Sequence, residues 1–95
     1  MIKDLHAAAL AELFSAFSDA SRLKIISALV EGECNVSTIA GSVGLSESAT
    51  SHHLRGLRQL KLVSARKVGR QVFYSLLDDH VLQLYQIGKE HVLHG

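Results

Sequence analysis

The stretch LSESATSHHLRGLRQLKLVSARKVGRQVFYSLL, residues 45–77, decides the fold of this 95-residue chain. In its first half, Leu54, Leu57 and Leu60 recur every three residues, which predicts one apolar side of a helix. In its second half, apolar and polar residues alternate, which predicts strands over residues 62–67 and 71–76. The turn between them contains Gly69, which can adopt the backbone angles of a tight hairpin. The stretch therefore predicts a helix followed by a two-stranded hairpin.

The opposite side of this helix carries only hydrogen-bonding and cationic groups, over an arc of roughly 120°. A helix face that is merely solvated usually carries Glu–Lys pairs, and this face lacks them. We therefore expect the helix and the hairpin tip to contact a polyanion. His53 falls outside this arc, and we interpret it as a hydrogen-bonded histidine at the edge of the core. The residues expected at the contact are Ser46 (also the helix cap), Ser48, Ser51, His52 and Arg55, with Arg66, Lys67, Arg70 and Gln71 in the hairpin.

The distribution of charge agrees with this prediction, although the net charge is only +1. Residues 48–77 contain six Lys and Arg and no Asp or Glu, whereas the residues before and after them are net acidic. A basic block between acidic ends indicates one surface suited to nucleic acid.

The sequence before this stretch predicts three further helices. The first covers residues 2–17, the second follows a cap at Ser18 or Asp19, and the third is a short segment with a cap at Ser37 and a turn at Gly44. A short helix, a glycine-containing turn and a helix with a polar outer face are typical of a helix-turn-helix, and the hairpin after it is typical of a wing. We therefore predict a mainly α winged helix-turn-helix, forming one domain over residues 1–95, that binds double-stranded operator DNA.

Composition narrows the class of protein further. A single domain of 95 residues with 47% hydrophobic content has only a small hydrophobic core, so dimerisation is expected to add buried surface. The single cysteine excludes an internal disulfide and is typical of a reducing compartment. No leader and no long apolar run is found, so we expect a cytoplasmic protein without a membrane segment.

The C-terminal stretch DDHVLQLYQIGKEHVLHG, residues 78–95, predicts a last helix with histidines at both ends. His80 and His91 are eleven residues apart, which is about three turns, so both point the same way. They lie roughly 16 Å apart along the axis, too far to share an ion within one helix. Two antiparallel copies could bring them together.

The chain resembles the ArsR/SmtB family of metal-sensing bacterial repressors over about residues 10–94. The resemblance rests on SDASRLKIISAL (18–29), on the helix and hairpin of residues 45–76, and on DDHVLQLYQIGKEHVLH (78–94). It implies a homodimer of winged helices with the first and last helices at the two-fold interface. It also implies that the metal-free dimer holds operator DNA and that metal releases it.

The resemblance implies a metal site in the last helix, in the pattern Asp-x-His, ten residues, His-x-x-His. Asp78, His80, His91 and His94 fill all four places. Three imidazoles and a carboxylate suit tetrahedral Zn(II). Co(II) or Ni(II) is the alternative effector, with Asp4 and His6 as extra ligands. A second site of the family uses cysteines where this chain has Asn35 and Ser37, and Cys34 is offset by one position, so we expect no thiolate site.

The segment EHVLH is not a zinc-protease motif, because its histidines are three apart and Glu90 precedes them, so we predict no catalytic residues and no small-molecule substrate. A winged-helix DNA-binding regulator that senses no metal remains the other alternative.

Overall fold

The computed structural model describes all 95 residues, which form five α-helices and three short strands. The elements in chain order are α1 (Asp4–Ser15), a 3-10 turn (Ala16–Ser18), α2 (Ala20–Leu29), β1 (Cys34–Asn35), α3 (Val36–Val43), α4 (Glu47–Gln59), β2 (Val63–Val68), β3 (Gln71–Leu76) and α5 (Asp79–His94). The strands form an antiparallel sheet in the order β1-β3-β2. The predicted winged helix-turn-helix is confirmed, with α3 and α4 as its two helices and β2–β3 as its wing.

The core lies where α2, α3, α4 and the sheet meet. Leu54 and Leu57 of α4 are fully buried there, as the leucine spacing predicted. The sheet contributes through its inward side, where Val63 and Tyr74 are buried. The complete core cluster consists of Ala16, Ile25, Ile26, Leu29, Ile39, Leu54, Leu57, Leu62, Val63, Tyr74 and Val81. Because α4 and the wing share this core, their relative position is fixed by packing rather than by a flexible linker.

The helix ends follow ordinary capping chemistry. Asp19 caps α2 by accepting a hydrogen bond from the backbone N–H of Arg22, at 3.0 Å. Gly44 closes α3 at φ +74°, a left-handed conformation that favours glycine. The cap of α3 is Asn35, which accepts from the N–H of Thr38 at 2.8 Å, so the prediction of Ser37 as the cap is wrong. Ser37 lies inside the helix instead.

Two further differences from the sequence prediction concern the length of the first helix and the number of strands. The first helix begins at Asp4 and ends at Ser15, where the chain tightens into the 3-10 turn, so it is shorter than the predicted range of 2–17. Strand β1 was not predicted. It has only two residues, Cys34 and Asn35, and it exists because they pair with Tyr74 and Phe73 of β3.

Helices α1 and α5 are the least covered elements of the chain. No residue of α1 is buried, and Val81 is the only buried residue of α5. The radius of gyration is 13.9 Å, against about 12.4 Å for a compact chain of this length. No helix combines the length and apolar character needed to cross a membrane.

Candidate functional site

The outer face of α4 is exposed and polar, because its opposite side is held in the core by Thr50, Leu54 and Leu57. Ser48, His52 and Arg55 are exposed, as predicted, and Ser51 is partly covered. The structure therefore places these four side chains on or beside one surface of a helix that is rigidly packed from behind.

Ser46 begins this helix, and its hydroxyl oxygen accepts a hydrogen bond from the N–H of Ala49 at 3.0 Å. The predicted cap is therefore confirmed. The cap uses a lone pair of this oxygen and not the hydroxyl proton, so Ser46 can still donate that proton to a phosphate oxygen.

Replacing Ser46 by Ala is expected to lower the free energy of unfolding by about 1 kcal/mol, because one N–H at the start of α4 loses its partner. Denaturant unfolding of the variant measures this. Ser48→Ala is the matched control, since Ser48 is exposed in the first turn and accepts no capping hydrogen bond. Equal stability of the two variants would contradict the capping role.

The wing presents Lys67 and Arg70 on either side of its turn, and both are exposed. Gly69 in the turn has φ +61°, as the sequence predicted. Gln71 is also exposed, but its side-chain oxygen accepts a hydrogen bond from the amide nitrogen of Asn35 at 3.2 Å. The wing tip is therefore cationic, and the first residue after its turn is tied to the cap of α3.

Arg66 was predicted to contact a polyanion, but in the structure it pairs with a carboxylate of the chain itself. Its guanidinium donates to both carboxylate oxygens of Glu33, at 2.6 and 3.2 Å, and lies 5.6 Å from the centre of the Phe73 ring. The hydrogen bond from Arg66 holds the pKa of the Glu33 carboxyl below its usual value, and the same pair raises the pKa of Arg66. Arg66 therefore has to break one or both of its hydrogen bonds to Glu33 before its guanidinium can bind a phosphate with all of its donors.

His53 occupies the edge of the core, as predicted, but the expected hydrogen bond is absent. Its Nδ1 atom is buried and has no partner in the chain. Its ring centre lies 6.1 Å from that of His52, at an angle of 60°. His52 is exposed whereas His53 is partly buried.

The four metal-ligand candidates lie at the two ends of α5, and all are exposed. At the N-terminal end, His80 Nδ1 is 3.6 Å from Asp78 Oδ2. The other oxygen of Asp78 caps α5 by accepting from the N–H of Val81 at 3.2 Å. At the C-terminal end, His94 Nε2 is 4.0 Å from Glu90. Within one chain no three such side chains come close enough to share a metal ion.

Two other groups of candidate ligands occupy separate places. Asp4 and His6 are exposed at the start of α1. At the position of the thiolate site, Asn35 is committed to capping α3, Ser37 is helical, and Cys34 is a partly buried free thiol in β1. Asn35 and Ser37 therefore serve the structure of α3 at the positions where a thiolate site would need cysteines.

Two features that bear on this surface were not identified from the sequence. Glu33 neutralises Arg66 although the two residues are 33 positions apart, and no local pattern signals that pairing. Arg22 of α2 reaches across to Gly56 of α4: its Nη2 atom lies 3.5 Å from where a Cβ of residue 56 would be.

Comparison with known proteins identifies the family. Residues 19–65, from the cap of α2 into β2, match the profile of bacterial regulatory proteins of the arsR family. The chain is 49% identical over 83 residues to a transcriptional repressor SmtB homolog from Synechocystis sp., covering 87% of this chain and 63% of that protein. It is 42% identical to the cadmium resistance transcriptional regulatory protein CadC from Listeria innocua, covering 84% of this chain and 71% of that protein.

A solved structure extends the likeness to the whole fold. The homodimeric winged helix-turn-helix DNA-binding domain of a possible ArsR-family transcriptional regulator from Mycobacterium bovis superposes with a TM-score of 0.84 at 29% identity. The match covers 99% of this chain and 94% of that domain. Since the family and these relatives are described as regulators, the prediction of a regulator rather than an enzyme is confirmed. The chain belongs to the ArsR family of bacterial regulatory proteins.

Proposed function

We propose that the chain is a metal-responsive transcriptional repressor whose metal-free homodimer binds operator DNA. Zn(II) binding at two intersubunit sites between the α5 helices lowers the affinity for DNA and derepresses genes for metal efflux or resistance. The observation that carries this proposal is the outer face of α5, where exposed ligand-type side chains stand at both ends and exposed Ile87 stands between them.

The geometry of α5 supports pairing with a second copy. His80, Ile87, His91 and His94 fall within roughly 40° of one direction on a wheel of about 100° per residue. In an antiparallel pair, His80 meets the partner's His91 only if the two-fold axis passes near residue 86, midway between them. Ile87 then lies beside the axis, where an apolar side chain is covered by its own copy. Closed symmetry gives two equal sites, one at each end of the pair.

Uncovered apolar surface on α1 and α5 supports the same dimer. The exposed fraction is 78% for Leu5, 69% for Ile87 and 80% for Val92. A groove of about 640 Å³ runs between α1, α2 and α5, and Phe14, Phe17 and Leu93 are among the residues that line it. Exposed apolar side chains in this number favour an interaction site, and the similar Mycobacterium bovis domain is described as homodimeric.

The donor set fits Zn(II). Asp78 can hold a metal through Oδ2 while Oδ1 keeps its cap to Val81, because the two roles use different oxygens. With His80 from the same subunit and His91 and His94 from the other, the site would have four ligands and no thiolate, a set that zinc accepts in closed tetrahedral sites. A bound divalent ion would neutralise the carboxylate and join the two α5 helices. Co(II) or Ni(II), with Asp4 or His6 as further ligands, is the alternative.

Zinc stoichiometry separates this proposal from a winged-helix regulator that senses no metal. A zinc sensor with two intersubunit sites should bind one Zn(II) tightly per protomer. Equilibrium dialysis and metal analysis of the dimer measure this ratio. A winged-helix regulator that senses no metal should bind no zinc tightly.

The DNA surface is proposed to be the outer face of α4 together with the wing. Ser48, Ser51, His52 and Arg55 would enter the major groove, and the wing would contact the backbone through Lys67, Arg70 and, after it leaves Glu33, Arg66. Ser46 and Gln71 would contribute through the groups that their internal hydrogen bonds leave free. The charge of residues 48–77, which include no Asp or Glu, supports binding of phosphate in this region.

A contact between α5 and α2 supports a link between the two surfaces. The hydroxyl of Tyr85 on α5 hydrogen-bonds to Ser27 Oγ on α2 at 2.9 Å, and α2 packs directly against α4 in the core. Metal held by both α5 helices would favour one dimer geometry and so fix the spacing of the two α4 helices. DNA half-sites are rigidly spaced by about one helical turn, so a small rotation of one subunit misplaces its α4.

Replacing Glu33 by Gln is expected to raise DNA affinity about two- to fivefold, because Arg66 no longer needs to leave a carboxylate to reach a phosphate. Fluorescence anisotropy with duplex DNA measures this. The matched control is Glu31→Gln, which removes the same charge from an exposed residue without an ion pair. An equal rise in the DNA affinity of both variants would show that the affinity depends on net charge and not on the pairing of Glu33 with Arg66.

Acid should weaken the same ion pair. The pKa of Glu33 is lower in the folded chain than its usual value of 4.5, so the pair contributes to stability above that pH. The contribution is lost as the pH falls through the lowered pKa. Unfolding measured from neutral to acid pH should therefore show a smaller acid loss of stability for Glu33→Gln than for the wild type.

A further inference from the structure

We infer that Arg22 of α2 is an additional DNA-backbone contact, which binds a phosphate beside the major groove from the flank of α4. The inference rests on the proposed DNA-binding function and extends its surface to a helix outside the helix-turn-helix and the wing.

The Arg22 side chain lies against α4. Its guanidinium lies over Gly56, with Nη2 at 3.5 Å and Cζ at 4.0 Å from where a Cβ of residue 56 would be. Gly56 follows His52 by four residues, so it lies one turn further along the same side of α4. The absence of a side chain at Gly56 lets the cation of α2 lie against the edge of the face that is proposed to enter the groove.

The guanidinium of Arg22 lacks an anionic partner within the chain. The three carboxylate pairs of the chain involve Arg66, His80 and His94, so the guanidinium of Arg22 has no carboxylate within 4.0 Å. Nearby Asp19 is engaged with the backbone N–H of Arg22. The Nε atom of Arg22 is buried and has no hydrogen-bond partner. The residue as a whole is only partly covered, so the terminal N–H groups of the guanidinium can donate to an anionic acceptor, and phosphate oxygens suit these planar donors.

The width of the major groove places phosphates beside an inserted helix. A helix with side chains is about 10–12 Å across, and the major groove is about 12 Å wide, so the phosphate backbones pass along both flanks of an inserted helix. Gly56 is on one such flank, next to His52. Arg22 is therefore carried to the place where a phosphate is expected, without occupying the groove itself.

The test uses full-length Arg22→Gln and a short duplex of arbitrary sequence, whose binding depends mainly on phosphate contacts. Plotted as log affinity against log salt, the magnitude of the slope is expected to fall by about 0.9 per lost contact, or about 1.8 for a dimer. Arg22→Lys should keep most of the slope. Lys3→Gln, which removes one exposed positive charge from outside the proposed surface, should leave it unchanged.

A slope for Arg22→Gln equal to the wild-type slope would overturn the inference, as would an equal fall in Lys3→Gln. Failure of the wild-type protein to bind any duplex would instead overturn the proposed function. A measurement on the wild type avoids dependence on the folding of a variant: the Nε–H resonance of Arg22 in ¹⁵N-labelled protein should shift when the duplex is added. An unshifted resonance in the bound state would also overturn the inference.

Discussion

Ile87→Asp is expected to convert the homodimer into monomers and to remove most of its affinity for operator DNA. In the proposed dimer Ile87 packs against its own copy near the two-fold axis, so the substitution would place two carboxylates in an apolar contact. Loss of two buried isoleucines costs about 3–6 kcal/mol, which corresponds to a dimer weakened by roughly 10²–10⁴-fold. Repulsion between the carboxylates adds to this. A monomer can contact only one half-site, so DNA affinity should fall with dimerisation.

Sedimentation equilibrium measures the mass directly, against 10.3 kDa for one chain. The fold of each subunit should survive, because the Ile87 side chain is 69% exposed in the isolated chain. Gln86→Asp is the matched control: it adds the same charge to the same helix, at an exposed position about 100° around the axis. An Ile87→Asp protein that remains as dimeric as Gln86→Asp would show that α5 does not pair through this face.

The elements that could be predicted from the sequence are those that depend on residues close together in the chain. The leucine spacing of α4, the alternation in the wing and Gly69 in its turn depend on near neighbours, and each is confirmed. Strand β1 was missed because two residues carry no periodicity, and Cys34 and Asn35 become a strand only through pairing with β3. The cap of α3 was misplaced for a related reason: Asn35 and Ser37 are both capping residues, and the pairing of Asn35 decides between them.

The features of the candidate site also separate into those that depend on local sequence and those that depend on tertiary packing. The exposed faces of α4 and α5 could be identified from periodicity, because solvent exposure follows from the core on the opposite side. The neutralisation of Arg66 by Glu33, and the contact of Arg22 with Gly56, depend on tertiary packing between distant segments. The ligand set of α5 could be selected by residue type and spacing, but a site shared by two subunits is not determined by the fold of one.

Zinc is expected to weaken binding of the wild-type dimer to operator DNA by about 5–150-fold, which corresponds to a coupling free energy of 1–3 kcal/mol. His91→Ala should abolish this response, because each site would lose one of its four ligands. DNA affinity without metal should be unchanged, since His91 is exposed on α5 and belongs to no core contact. Anisotropy titrations of DNA from the promoter upstream of the gene, with zinc or with chelator, measure both quantities.

Two comparisons make this result specific. His6→Ala removes a histidine from outside the proposed zinc site, so its zinc response should match the wild type. If His6→Ala instead loses a response to Ni(II) or Co(II), the alternative effector is favoured. Equal DNA affinity of the wild type with zinc and with chelator would end the proposal of zinc sensing.

Mixing two defective variants tests whether each site is shared between subunits. His80→Ala and His91→Ala homodimers should each lack an intact site. In a mixed dimer, one site combines both substitutions, whereas the other combines Asp78 and His80 of one subunit with His91 and His94 of the partner subunit and is intact. Refolding the variants together should therefore restore one tight zinc ion per mixed dimer. Sites built within single subunits would restore none, because each chain would still lack one of its own ligands.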